Sequence, residues 1–175
     1  MNKNDNMLEI ERRFLIEYPD LKKLKAMSEY DITYIEQTYI KGIRADEDGG
    51  GYRVRKRGKI GEYKYTKTYK KDITPIRRIE IEEEISESEY ENLLTKIDNT
   101  TKTIRKYRSC FVYEGKMFEL DLYPFWEDRA MLEIELENEE EKFKIPEFIK
   151  VLKEITDDKR YRNRSIAKSI ITEIF

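Results

Sequence analysis

The sequence contains no histidine, a single cysteine (Cys110) and only four prolines and seven glycines in 175 residues. Each scarcity removes a class of chemistry. Without histidine there is no Ser-His-Asp or Cys-His nucleophile, no imidazole metal site and no ordinary imidazole acid–base pair. One cysteine makes no intrachain disulfide, and residues 1–9 lack the apolar run of a secretory signal, so a cytoplasmic location is expected. No stretch approaches the roughly 20 apolar residues that span a bilayer. Low glycine and proline content, with no low-complexity break or internal repeat, leaves no linker, so residues 1–175 are read as one domain. Chemistry therefore has to come from carboxylates, cations and metal ions.

Those are abundant. Charged residues make up 41% of the chain, and 35 Lys and Arg nearly balance 37 Asp and Glu, for a net charge of -2. A bulk attraction to nucleic acid or membrane is excluded, and any anion site must be local. Thirteen Tyr and seven Phe set the chain apart from a disordered polyampholyte.

Charge and apolar residues alternate with period two through most of the chain, which is strand periodicity. Strands are predicted over 8–16, 33–41, 52–57, 62–70, 75–85, 101–113, 116–123 and 129–138. Short helices are predicted after the Asp20 cap to Tyr30, after Ser86 to near Asn99, over 148–155, and over 163–175 with Ile166, Ala167, Ile170, Ile171 and Ile174 on one face. Gly49-Gly50-Gly51 is read as a loop and no P-loop, because no Gly-Lys-Ser/Thr follows.

The polar parity of the strands carries Glu9, Glu11 and Arg13; Arg53 and Arg55; Lys67; Arg78, Glu80, Glu82 and Glu84; Lys106 and Arg108; Glu119 and Asp121; and Glu133 and Glu135. One open sheet facing water explains such alternation in a few strands. About eight strands is a number that closes readily, and the helices need a sheet face to cover. The expected fold is therefore α+β, an eight-stranded antiparallel closed barrel with flanking helices, its charged parity inside. So many ionised groups require a wet lumen with a ligand of both polarities. Carboxylates without His or Cys favour Mg²⁺ or Mn²⁺, and Arg and Lys suit phosphate oxygens. A polyphosphate with a divalent metal satisfies both.

Glu9-Ile10-Glu11-Arg12-Arg13 resembles the ExExK signature of the CYTH, or triphosphate tunnel metalloenzyme, superfamily. The order of Tyr52-Arg53-Val54-Arg55, Lys67, Arg78-Ile79-Glu80-Ile81-Glu82, Lys106-Tyr107-Arg108, Phe118-Glu119-Leu120-Asp121, Leu132-Glu133-Ile134-Glu135 and Arg160-Tyr161-Arg162-Asn163 extends the resemblance along almost the whole chain. The resemblance implies metal-binding acids at Glu9, Glu11, Glu133 and Glu135. It implies that Glu80, Glu82 and Asp121 hold a second metal or the attacking water. It places phosphate-binding cations at Arg13, Arg53, Arg55, Lys67, Arg78, Lys106, Arg108 and Arg160. Arg13 departs from the signature, which has Lys, and a planar fork is not interchangeable with an ammonium.

The implied activity is metal-dependent hydrolysis of a triphosphate, with inorganic tripolyphosphate first because the short chain shows no added element for a base or a thiamine. A class IV adenylate cyclase, a thiamine or nucleoside triphosphatase and a non-catalytic polyphosphate-binding module are the alternatives. The partner is thus a small polyphosphate or triphosphate, with an RNA 5′-triphosphate end as the one nucleic-acid form, no membrane, and a monomer or homodimer.

Overall fold

The computed structural model describes residues 8–41 and 51–170. Most of loop 46–51, including Gly49 and Gly50, and Ile171 and Ile174 of the last predicted helix lie outside the described residues.

Eight strands close into an antiparallel barrel: β1 (Leu8–Glu17), β2 (Ser28–Ile40), β3 (Gly51–Lys59), β4 (Glu62–Asp72), β5 (Arg77–Ile85), β6 (Ile104–Tyr113), β7 (Lys116–Leu122) and β8 (Arg129–Leu136). Around the wall the order is β5-β4-β3-β2-β6-β7-β8-β1, and β1 returns to β5. At the closing seam the described pairs are Leu8 with Ile79, Glu9 with Arg78 and Ile10 with Arg77. β3 and β4 pair over their full length, from Gly51 opposite Lys70 to Lys59 opposite Glu62.

Their hairpin turns where Gly58 and Gly61 take positive φ, at 156° and 84°. At Gly58 a Cβ would stand 2.0 Å from the Glu62 carbonyl oxygen, so only glycine fits.

A ninth strand, β9 (Val151–Glu154), corrects the helix predicted over 148–155. Beyond Ile10, β5 leaves the edge of β1, and β9 takes over that edge at Phe14, Leu15 and Ile16. Buried backbone donors and acceptors need partners, and this edge demand outweighs the helix-like spacing of Phe148, Val151, Leu152 and Ile155.

Helix α1 (Leu21–Lys25) starts as predicted, with the Asp20 carboxylate accepting from the backbone N–H groups of Lys22 and Lys23, but it is a single turn. Residues from Ser28 onward are claimed by β2, whose register against β6 shifts between Ser28 and Asp31 where Glu29 takes φ 52°. Helix α2 (Glu87–Leu94) is capped by Ser86 Oγ, which accepts from Glu89 N. Helix α3 (Asn163–Lys168) follows a 3-10 turn at Lys159–Tyr161.

Apolar side chains pack on both sides of this wall. Outside, Ile10, Phe14, Ile16, Phe118, Leu120, Leu132, Ile134 and Leu136 form one cluster beneath Leu24, Phe143, Ile145, Phe148 and Ile149. A second outer cluster joins Ile40, Val54 and Ile85 to Tyr90 and Leu93 of α2. The third cluster lies inside: Leu15, Ile104, Tyr123 and Met131 point inward on the same strand parities as the charged rows, and with Trp126, Ile155, Tyr161, Ile166 and Ala167 they fill one end of the barrel. The sequence pattern did not reveal this plug. No helix among the described residues is long and apolar enough to cross a membrane.

Candidate active site in the barrel lumen

Strand period two aims every second side chain into the lumen, and the charged parity is the inward one. A cavity of about 1250 Å³ is lined by Glu9, Glu11, Arg13, Arg53, Arg55, Arg78, Glu80, Glu82, Arg108, Glu119, Glu133 and Glu135. Twelve of the expected positions therefore meet around one space. Lys106 and Asp121 lie beneath the lining, between the cavity and the apolar plug, and both are fully buried.

Two expected cations are elsewhere. Lys67 points outward, where its ammonium pairs with Glu83 at 2.8 Å and Glu89 at 3.7 Å. Tyr65 and Tyr69 share its parity and pack on Tyr90 of α2 and Tyr52 of β3, with ring centroids 5.0 and 5.2 Å apart. These contacts fix the outward face of β4, so Thr66, Thr68 and Lys70 face inward. Lys70 is the β4 cation that lines the cavity. The three tyrosines at odd positions 63, 65 and 69 were the signal that Lys67 belonged outside. Arg160 bends back along the chain to Asp158, to which its Nη2 donates at 2.6 Å, and it is away from the lumen. Arg162 and Arg164, which the sequence reading did not single out as site residues, line the cavity instead.

The lumen charges are cross-paired between strands. Arg53 reaches Glu80 at 3.3 Å, Arg55 reaches Glu82 at 3.5 Å, and Thr68 Oγ1 donates to Glu82 at 3.0 Å. Lys70 bridges Glu80 and Glu9, the latter at 3.4 Å. Glu11 lies between Arg13 at 3.4 Å and Arg78 at 3.3 Å. Deepest is Arg108, which donates from Nε and Nη2 to both Asp121 oxygens at 2.7 Å, from Nη2 to Glu133 at 2.7 Å, and from Nη1 to Glu119. Lys106 donates to the same Asp121.

Burial and crowding move the acids in opposite directions. Burial pushes Glu9 up to about 7, against the pull of Lys70 and reinforced by Glu80 and Glu11. Glu11 is raised by burial and by Glu133, and Glu135 by burial with Glu119 and Glu80. At Glu80, Asp121 and Glu133 burial is overcome by cations, Lys70 with Arg53 at the first and Arg108 with Lys106 at the others, so all three stay below the usual carboxylate range. Burial depresses Lys106 to about 8 despite Asp121. At the acids with raised values, burial and neighbouring carboxylates outweigh the cations beside them.

These side chains fit a divalent cation in type. Glu9, Glu11, Glu133 and Glu135 come from the paired strands β1 and β8, with Glu11 opposite Glu135, and offer only hard oxygen donors. Glu11 Oε1 is buried without a hydrogen-bond partner among the described residues. No three of the described acids already stand together as a metal-holding group. Arg78 and Arg108 occupy the acids electrostatically, and their ion pairs have to yield for a metal to be held.

The match to the CYTH domain family model runs over residues 7–169 and includes every lumen position described above. The chain belongs to the CYTH family. Two crystal structures of NE1496, one of them described as an inorganic triphosphatase, resemble the CYTH barrel seen here at 27% and 26% sequence identity. The match covers 93% of this chain in both cases and 99% and 95% of theirs, with TM-scores of 0.58 and 0.56. The PH1819 protein from Pyrococcus horikoshii OT3 shares the fold at 21% identity, over 75% of this chain and 80% of its own, with a TM-score of 0.52. No curated protein sequence matches this chain.

Proposed function

We propose that this CYTH barrel hydrolyses a triphosphate, with inorganic tripolyphosphate as the substrate and Mg²⁺ or Mn²⁺ as the required ion. The observation that carries the reading is a set of guanidinium Nε donors that make no hydrogen bond among the described residues, Arg13 Nε facing Glu11 at 3.4 Å without one. The Nε atoms of Arg13, Arg53, Arg55 and Arg78 are buried at the cavity wall with no hydrogen-bond partner among the described residues. An unmade bond of this kind is costly, and phosphate oxygens are the acceptors that guanidinium groups suit best. The likeness to NE1496, described as an inorganic triphosphatase, supports the same substrate class.

In this reading Arg53, Arg55, Arg78, Arg13 and Lys70 hold the phosphate chain. Arg108 and Lys106, fixed by Asp121, maintain positive charge at the closed end. A metal ion held by Glu9, Glu11, Glu133 and Glu135 would supply further neutralisation of the phosphoryl oxygens. Glu82, the more exposed of the two β5 acids at 40% against 12% for Glu80, orients water and accepts its proton. The water oxygen bonds to a terminal phosphorus as the phosphoanhydride bond breaks, and the arginine row stabilises the charge that develops. Asp121, wholly buried with both oxygens taken by Arg108, anchors the cations and is not the water-activating group.

The test is release of phosphate and pyrophosphate from tripolyphosphate, ATP and thiamine triphosphate, each with Mg²⁺, Mn²⁺ or chelator, beside a Glu135→Gln variant checked for fold by circular dichroism. Metal-dependent release from tripolyphosphate above the others, lost in Glu135→Gln, is the expected result. Full activity in the folded variant overturns the site assignment. Pyrophosphate with cyclic AMP from ATP alone replaces it with a cyclase, and saturable binding without release replaces it with a polyphosphate-binding module.

A further inference from the structure

The C-terminal turn brings a residue to the lumen that no barrel strand carries. Arg162 lines the cavity although it lies just before α3, outside the closed sheet. Its position is fixed by neighbours on both sides in the chain. The Tyr161 carbonyl accepts from Arg13 Nη1 at 3.4 Å, and the Tyr123 hydroxyl donates to Asn163 Oδ1 at 2.8 Å. Arg13 Nη2 also donates to the Thr156 carbonyl at 3.3 Å, so the turn is stitched to β1 at the residue next to Arg162. The Arg162 side chain is one-fifth exposed, and Nη1 pairs with Asp72 at the end of β4. Its Nε is buried and has no hydrogen-bond partner among the described residues, a state it shares with Arg13 and Arg78.

These three guanidinium groups lie near one another. Burial lowers the pKa of Arg162; Asp72 opposes that change, and the positive charges of Arg13 and Arg78 add to it. Glu11 sits between Arg13 and Arg78, with one oxygen facing both. Glu11 and Asp72 answer these cations through Arg13 Nε, Arg78 Nη2 and Arg162 Nη1, and the buried Nε donors of Arg78 and Arg162 are left for a further acceptor.

We propose that Arg162 is a third arm of an anion cradle with Arg13 and Arg78, gripping one terminal phosphoryl group of the substrate from outside the barrel wall. This rests on the triphosphate reading and assigns one end of the substrate to a specific corner of the lumen. The structural alternative is that Arg162 is only a latch, holding the C-terminal turn to Asp72.

Calorimetric titration with tripolyphosphate in chelator separates the two, because it reads anion binding without turnover. In Arg162→Gln the dissociation constant should rise by about tenfold or more, the usual scale for losing a charge-assisted bond to phosphate. Asp72→Asn removes the latch partner and frees the guanidinium, so its affinity should equal or exceed that of the unaltered chain. Arg162→Lys keeps the charge without the fork and should bind with intermediate affinity, which carries the test if Arg162→Gln does not fold. Unchanged affinity in both Arg162 variants overturns the cradle, as does equal weakening in Asp72→Asn and Arg162→Gln. Absence of tripolyphosphate binding by the unaltered chain overturns it too. Phosphate release with Mg²⁺ decides the hydrolase reading separately.

Discussion

The inward row of each strand changes character along its length, and the two halves of that row differ in what holds them. On β1 the sequence runs Glu9, Glu11, Arg13, then Leu15; on β8 it runs Glu135, Glu133, then Met131; on β7, Glu119, Asp121, then Tyr123; on β6, Arg108, Lys106, then Ile104. The apolar half is packed against Trp126, Tyr161 and Ile166 and needs nothing further. The charged half is satisfied only in part, by ion pairs that leave guanidinium donors unfilled. Between them lies the Lys106–Asp121–Arg108–Glu133 network, buried and fully cross-paired. A single barrel thus combines a finished core and an unfinished one, and binding belongs to the unfinished half.

The junction is where this division should break most severely. Asp121→Asn leaves Lys106 buried beside a neutral amide and strips Arg108 of its two-oxygen partner. A loss of about 3–5 kcal/mol in urea unfolding is expected, as for other buried pairs deprived of one member. Breaking the apolar half costs somewhat less and should spare the site: Leu15→Ala removes a fully buried side chain and should cost about 2–5 kcal/mol by the same measurement, with the tripolyphosphate KM little changed. A selective rise in KM without loss of stability would show that the plug shapes the site.

The smallest effect is expected on the outer wall. Lys67→Ala removes a half-exposed surface pair and should change stability by about 1 kcal/mol or less, with phosphate release unaltered, whereas Lys70→Ala should depress release strongly. Strong loss from Lys67→Ala with release spared in Lys70→Ala would mean that β4 presents the opposite face to the lumen.

The strands and their closure were legible because period two is a local property and too many charged rows required an inside. The charged lumen positions on β1, β3, β5, β6, β7 and β8 follow from that parity. The plug was not legible, since Leu15, Met131 and Tyr123 look like mere ends of a charged pattern until the sheet curls and brings them together. Lys67 was misplaced because β4 carries lysines on both parities; the tyrosines at 63, 65 and 69 share its parity, and the contacts of Tyr65 and Tyr69 mark that face as the outer one. Residues 151–154 have helix-like spacing, and their strand is imposed by a distant demand, the unpaired edge of β1. Arg162 was invisible for a similar reason: it lies in a turn with no periodicity, and its place in the lumen depends on tertiary contacts to Arg13 and Tyr123.

The full-length ladder between β3 and β4 has a mechanical meaning. β7 and β8, by comparison, share four pairs, from Phe118 opposite Ile134 to Asp121 opposite Met131. Local opening concentrates where fewest bonds must part. The arginine row of β3 thus stands on a stiff stave, and the acids of β7 and β8 on a more compliant one that Arg108 ties together through Glu119, Asp121 and Glu133.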